Sequence, residues 1–370
     1  MSARFLTVVL ERAFNMRDGF GREIDYMRIS VIDSCNLNCY YCNPCDNNEH
    51  CHALNILSVK EVLCIVRAAT RLGIKHFRLT GGEPLLHPQL DEMVLQIKKI
   101  SGVSSVSLTT NAVLLVQHAK WLKEAGIDSI NVSLDTIDAS EYERITKKPL
   151  LEEVKHGINA AIECGIRVKI NVVLTPQTDV VALTRYVAKK GTDIRFIEMM
   201  PVGEGHTNGV EPYKKVIGTL SKLYGEPCRI NTEKTKEINS GNDKRKIPDN
   251  GPAEYYIFPE LGIRVGLIQA IHGKFCDTCN RIRVTADGRL MPCLGSSVTM
   301  DLVPDSWDFA DDVEKDFAIV RALRAAIKAK PRCHNFNDNA VTYTKTTETK
   351  TTEIEAAEVN AARNMSRIGG

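Results

Sequence analysis

The sequence predicts an α/β fold built on a parallel sheet. Three observations predict it. Strand-like and helix-like runs alternate between residues 27 and 199, as they do when right-handed crossovers join parallel strands. Polar and glycine residues gather just after the strand ends, at the edge where parallel α/β folds bind ligands. The composition is 43% apolar and 25% charged over 370 residues, ordinary for a globular chain. Periodicity alone leaves an open sheet and a barrel as alternatives.

The elements follow in order. Residues 1–22 read as an N-terminal extension. Met27 to Ile32 form the first strand, which delivers a cysteine-rich loop. Ser58 and Glu61 have the spacing of a capping box, and Val59, Val62, Leu63, Val66 and Ala69 follow at helical spacing until Gly73. Further strands are predicted over 75–80, 104–110, 128–134, 166–174 and 193–199, with helices near 88–100, 115–125, 150–164 and 178–190. A helix near 212–224 closes this region, and 231–250 reads as a polar loop. Short strands at Tyr255–Phe258 and Ile263–Ile268 and a helix over 313–329 complete the ordered part. Residues 341–356 have too little apolar content for a core.

Composition excludes several classes. The net charge is +2, so no global basic field points to nucleic acid, and any anion site must be local. The apolar run Phe5 to Leu10 is too short for a signal peptide. No run of about 18 apolar residues predicts a membrane span. The expected location is the cytoplasm. Twelve cysteines then point to metal binding or catalysis rather than disulfides. Cys64 and Cys164 fall in apolar helical patterns and read as core residues.

Cys35, Cys39 and Cys42 form C-x3-C-x2-C. Three thiolates this close can hold three corners of an iron–sulfur cluster, leaving one iron open to a small molecule. Cys276, Cys279 and Cys293 form a second triad, C-x2-C-x13-C. Zinc is an alternative for each: Cys45 could complete the first site, and His272 could make the second a Cys3His site.

The first triad resembles the signature of the radical S-adenosylmethionine (SAM) enzymes. The wider set resembles the GTP 3′,8-cyclase family of molybdenum cofactor biosynthesis. Its pieces are YMRIS before CNLNCYYC, RLTGGEPLL, SLTTN, INVSLDT, VKINVVL, RFIEMMPVG, FCDTCNRIRVTADGRLMPCL and the terminal Gly-Gly. The resemblance covers about 23–335 and the last seven residues. It implies an incomplete (βα)6 TIM-type barrel over 23–225 and a C-terminal iron–sulfur domain over 226–335, set over the open side of the barrel. It also implies a flexible tail over 336–370 that ends in Gly-Gly.

The resemblance also implies two [4Fe–4S] clusters, on Cys35, Cys39 and Cys42 and on Cys276, Cys279 and Cys293. SAM would be lined by Tyr41, Gly82, Ser133 and Met200, and GTP by Arg28, Arg78, Thr109, Lys169, Arg281 and Arg283. Arg367, Gly369 and Gly370 would assist catalysis from the tail. The implied reaction is a lyase step that takes hydrogen from the ribose C3′ and closes a bond to C8 of guanine. The product is (8S)-3′,8-cyclo-7,8-dihydroguanosine 5′-triphosphate. Implied partners are an electron donor, a downstream cyclic pyranopterin monophosphate synthase and a second copy of the chain. The alternatives are a peptide-modifying radical SAM maturase and a non-catalytic zinc- or cluster-binding protein. Two features depart from the family: Cys45 and Cys51 enrich the first loop, and Ala112 stands where relatives carry glycine. A positive φ there would cost alanine about 1 kcal/mol.

Overall fold

The computed structural model describes residues 16–42, 55–202, 210–230, 251–296, 298–302, 312–334 and 336. Its six leading strands are β1 (Tyr26–Ser30), β2 (His76–Thr80), β3 (Ser105–Thr110), β4 (Ser129–Ser133), β5 (Val168–Val173) and β6 (Asp193–Ile197). All six are parallel and pair in chain order. Helices α1 (Val59–Arg71), α2 (Leu90–Lys98), α3 (Leu115–Glu124), α4 (Ala139–Thr146), α5 (Leu151–Glu163) and α6 (Val180–Lys189) connect them. This is the partial barrel expected. The capping box also forms: Ser58 accepts from the Glu61 amide at 3.3 Å, and the Glu61 carboxylate accepts from the Ser58 amide at 2.7 Å.

The chain beyond β6 extends the same sheet at both ends. After a π-turn (Tyr213–Ile217), α7 (Gly218–Tyr224) leads to β7 (Cys228–Ile230), β8 (Glu254–Ile257) and β9 (Arg264–Ile268). β9 lies parallel beside β6, and β8 and β7 follow it antiparallel. Next come β10 (Arg281–Val284), β11 (Arg289–Met291) and β12 (Met300–Asp301), and then α8 (Asp312–Lys328). β10 lies parallel beside β1, and β11 and β12 fold back antiparallel. The parallel run is therefore β10-β1-β2-β3-β4-β5-β6-β9. Residues 16–24 join this body: the Ile24 amide donates to Met16 at 3.0 Å, and Met16 donates to Leu72 at 3.1 Å.

Alternation along the strands sorts the side chains. Met27 and Ile29, Phe77 and Leu79, Ile170 and Val172, Ile194 and Phe196, and Ile282 and Val284 all join the apolar core with the helix residues. Each such side chain contributes roughly 1.5–3 kcal/mol on burial. Side chains one position away point to the other face. That face carries Tyr26, Arg28, Arg78, Lys169, Arg195, Arg281 and Arg283. The barrel is thus apolar outside, under its helices, and cationic inside. Among the described residues no helix is long and apolar enough to cross a membrane.

Ala112 has φ +66°, one of two positive values among the described non-glycine residues. It is fully buried, and its carbonyl lies 2.3 Å from where a Cβ on Gly157 would sit. The backbone here must therefore turn left-handed while α5 presses against it. Ala112→Gly is expected to leave stability unchanged or raise it by up to about 1 kcal/mol, whereas Gly157→Ala should cost about 1–3 kcal/mol by overpacking. Chemical denaturation of both variants checks this; a clear loss in Ala112→Gly would contradict it.

Candidate active site

Two cysteine triads stand at opposite edges of the barrel. Cys35, Cys39 and Cys42 follow the C-terminal end of β1. Cys276 and Cys279 precede β10, which runs parallel to β1, and Cys293 follows β11, which runs antiparallel to β10. The second triad therefore lies at the N-terminal edge of the sheet, the far end of the barrel from the first.

The first triad is held by backbone crossing backbone. The Gly82 amide donates to the Ile32 carbonyl at 2.8 Å, and the Glu83 amide donates to Ser34 at 2.8 Å. A Cβ on Gly82 would lie 2.1 Å from the Ser34 carbonyl oxygen. Gly82 is therefore needed by the approach of the cysteine loop itself, in addition to any approach of SAM. Behind this crossing sits the buried Glu83. Its carboxylate accepts from the Thr110 hydroxyl at 2.6 Å, the Asn111 amide at 2.7 Å and the Leu85 amide at 3.0 Å. Burial raises its pKa to about 7. Asn111 then donates to Asn36 at 2.7 Å and lies 3.8 Å from the Cys35 sulfur.

Tyr41 donates its hydroxyl to Asp135 at 2.5 Å, and Asp135 also accepts from the Val173 amide at 2.7 Å. This ties the cysteine loop to β5. Burial lifts Asp135 to a pKa of about 6. Burial lifts the Cys35 thiol to about 11, and burial together with Cys42, Asp135 and Cys35 lifts Cys39 further. The thiols are thus close enough to oppose one another's ionisation. All three are free of disulfides. Ser133 ends β4 at the same edge, exposed, and Met200 follows β6, in contact with Val202 and Met291.

Between the triads lie the cations. Parallel pairing sets Arg283, Arg28 and Arg78 in one register row across β10, β1 and β2. Arg281 faces Tyr26 and His76 in the row two residues lower. The arginine row meets β3 at Ser107; Thr109, Asn131 and Lys169 share the row two residues higher across β3, β4 and β5. Arg78 lies 3.4 Å from the Thr109 hydroxyl and also donates to the Tyr26 hydroxyl, and Arg281 stacks over Tyr26. Burial, then Arg283, holds Arg28 well below the usual arginine range; burial, then Arg281, pushes Arg283 down to about 10. Burial would raise Tyr26, but Arg78, Arg28 and Arg281 together pull it below its ordinary value. Sequence inspection missed Arg195, which is buried, donates to Tyr255 at 2.6 Å and feels Arg281.

The second triad differs electrostatically. Burial raises Cys279, but Lys330 and Arg281 outweigh it and hold the thiol below its ordinary value. Burial raises Cys293, and Lys330 again opposes the rise. His272 is occupied by Glu198, whose carboxylate also accepts from the Ile271 and His272 amides at 2.7 and 3.1 Å. Each triad offers three free cysteines, the thiolates that iron–sulfur clusters take as ligands. Cys45, Cys51, Arg367, Gly369 and Gly370 lie outside the described residues.

Comparison with known proteins agrees with this geometry. The model of the radical SAM superfamily matches residues 29–182, and the model called Molybdenum Cofactor Synthesis C matches 192–336. The fold resembles Streptococcus suis SuiB bound to S-adenosylmethionine, with a TM-score of 0.55, 16% identity and coverage of 82% of this chain and 68% of that one. A partial barrel with a three-cysteine loop after its first strand defines a radical SAM protein. The particular family comes from nearer relatives. The GTP 3′,8-cyclase of Clostridium perfringens is 35% identical over 324 residues, covering 87% of this chain and 95% of the relative. That of Listeria monocytogenes is 35% identical over 323 residues, covering 86% and 92%. The chain belongs to the GTP 3′,8-cyclase family.

Gly82→Ala should displace the segment that carries the first triad. After anaerobic reconstitution, iron per chain is expected to fall by about half, since one of two four-iron sites is lost. Iron loading equal to the wild type would contradict the close-approach account.

Proposed function

We propose that the chain is a radical SAM lyase that converts GTP to (8S)-3′,8-cyclo-7,8-dihydroguanosine 5′-triphosphate for molybdenum cofactor biosynthesis. The observation that carries the reading is the register row Arg283–Arg28–Arg78 between two cysteine triads. Like charges directly opposite one another in a sheet are destabilising, so three adjacent guanidiniums call for a polyanion. Their planar donors suit phosphate oxygens. The relatives named GTP 3′,8-cyclase supply the identity of that anion.

In this reading Cys35, Cys39 and Cys42 hold one [4Fe–4S] cluster, and Cys276, Cys279 and Cys293 hold another. A cluster held on the first triad, with SAM and one electron from a reductant, would supply the radical chemistry that takes hydrogen from the ribose C3′. Tyr41, Gly82, Ser133 and Met200 surround the SAM position, an assignment supported by their shared place at the C-terminal edge. Arg28, Arg78, Thr109, Lys169, Arg281 and Arg283 hold GTP, and Arg195 joins them on the inner face. The chain's own contribution is to orient the ribose between the two ends and exclude water. The roles of Arg367, Gly369 and Gly370 rest on the sequence resemblance alone. So do the boundaries of a barrel domain at 23–225 and a C-terminal domain at 226–335, the homodimer, the electron donor and the downstream synthase; the cytoplasmic location rests on the short apolar runs of the sequence.

The test is anaerobic turnover of reconstituted protein with SAM, GTP and a low-potential reductant. SAM cleavage to 5′-deoxyadenosine should depend on GTP and match GTP consumed, with all three phosphates retained in the product. SAM cleavage indifferent to GTP would overturn the reading.

A further inference from the structure

Buried cations brace the backbone beside all three cysteines of the second triad. Arg22 donates to the Cys276 carbonyl at 2.7 Å and to Arg332 and Pro331 at 2.9 and 2.6 Å. Its charge is met by Asp18, 2.5 Å away and fully buried. Lys330, which follows α8, is 2% exposed. Its ammonium donates at 2.8 Å to the carbonyl of Arg281, two residues after Cys279, and at 2.8 Å to that of Pro292, just before Cys293.

The two cations differ in one respect. Arg22 has a carboxylate, whereas among the described residues no carboxylate pairs with Lys330. A buried charge met only by neutral carbonyls is costly. The two carbonyls that it holds adjoin Cys279 and Cys293, so the ammonium sits between two arms of the triad. A four-iron cluster on three thiolates carries net negative charge and would complete the pair.

We infer that Lys330 is a positioning residue for the second cluster: it clamps the Cys279 and Cys293 arms together and supplies the positive charge that balances the bound cluster. The inference rests on the reading of Cys276, Cys279 and Cys293 as cluster ligands. The carbonyl contacts fix the distance between the two arms. The charge favours the more reduced, more negative form of the cluster.

The test compares wild type, Lys330→Met and Lys330→Arg after anaerobic reconstitution. Iron and sulfide are counted, and the potential of the second cluster is measured in chains whose Cys35, Cys39 and Cys42 are replaced by alanine. Lys330→Met should keep first-site iron, while its second site loads less iron or shows a more negative potential. Lys330→Arg should restore much of either loss. Full loading of Lys330→Met at an unchanged potential would overturn the inference, as would loss of iron from both sites together, which marks a general fold defect. Failure of the wild type to load a second cluster would instead remove the reading on which the inference rests.

Discussion

Repulsion among guanidiniums held in one row is the constraint on which the site depends. Arg283, Arg28 and Arg78 belong to three different strands, and parallel pairing leaves them no choice of register. Shifting any strand by one residue would turn its arginines into the apolar layer and its core residues into the barrel. The core on the outer face therefore enforces the repulsion on the inner one. A triphosphate beside the row would relieve that repulsion.

The same pairing sets the two triads apart. β1 carries Arg28, ends in the first cysteine loop and lies beside β10, whose start carries two cysteines of the second triad. A strand of five residues spans about 17 Å, so the two ends of the barrel are separated by roughly the reach of an extended nucleotide. The ends also differ in charge. Burial, then Glu83, raises the Cys35 thiol, and burial, then Cys42, raises Cys39. At the second triad Lys330 and Arg281 already favour Cys279 as thiolate. Buried Glu83 and Asp135 stiffen the first end through hydrogen bonds to backbone amides rather than through salt bridges.

Much of this was legible in the sequence. The cysteine spacings, the strand–helix alternation and the Ser58–Glu61 cap are local signals, and each appears in the fold. Relatives carry glycine where this chain has Ala112, and Ala112 has the positive φ that glycine would take without strain. Two missed elements had usable signals: Asp138 and Glu141 mark the start of α4, and Asp287-Gly288 marks the β10–β11 turn. The attachment of β9 and β10 to the barrel edges had none, because pairing between strands distant in sequence leaves no local trace. Arg22, Arg195 and Lys330 escaped for a related reason. A lone cation in sequence looks like a solvated surface charge, and only the fold shows it buried.

The most direct test of the central claim is the stability of Arg28→Met with and without GTP, beside wild type, in protein loaded with clusters. Removing one charge from the row should leave the GTP-free protein at least as stable as wild type. GTP at a hundred times its Kd should stabilise wild type by about 2.7 kcal/mol, and the variant much less at the same concentration. A GTP-free variant clearly less stable than wild type, yet stabilised equally by GTP, would contradict the account.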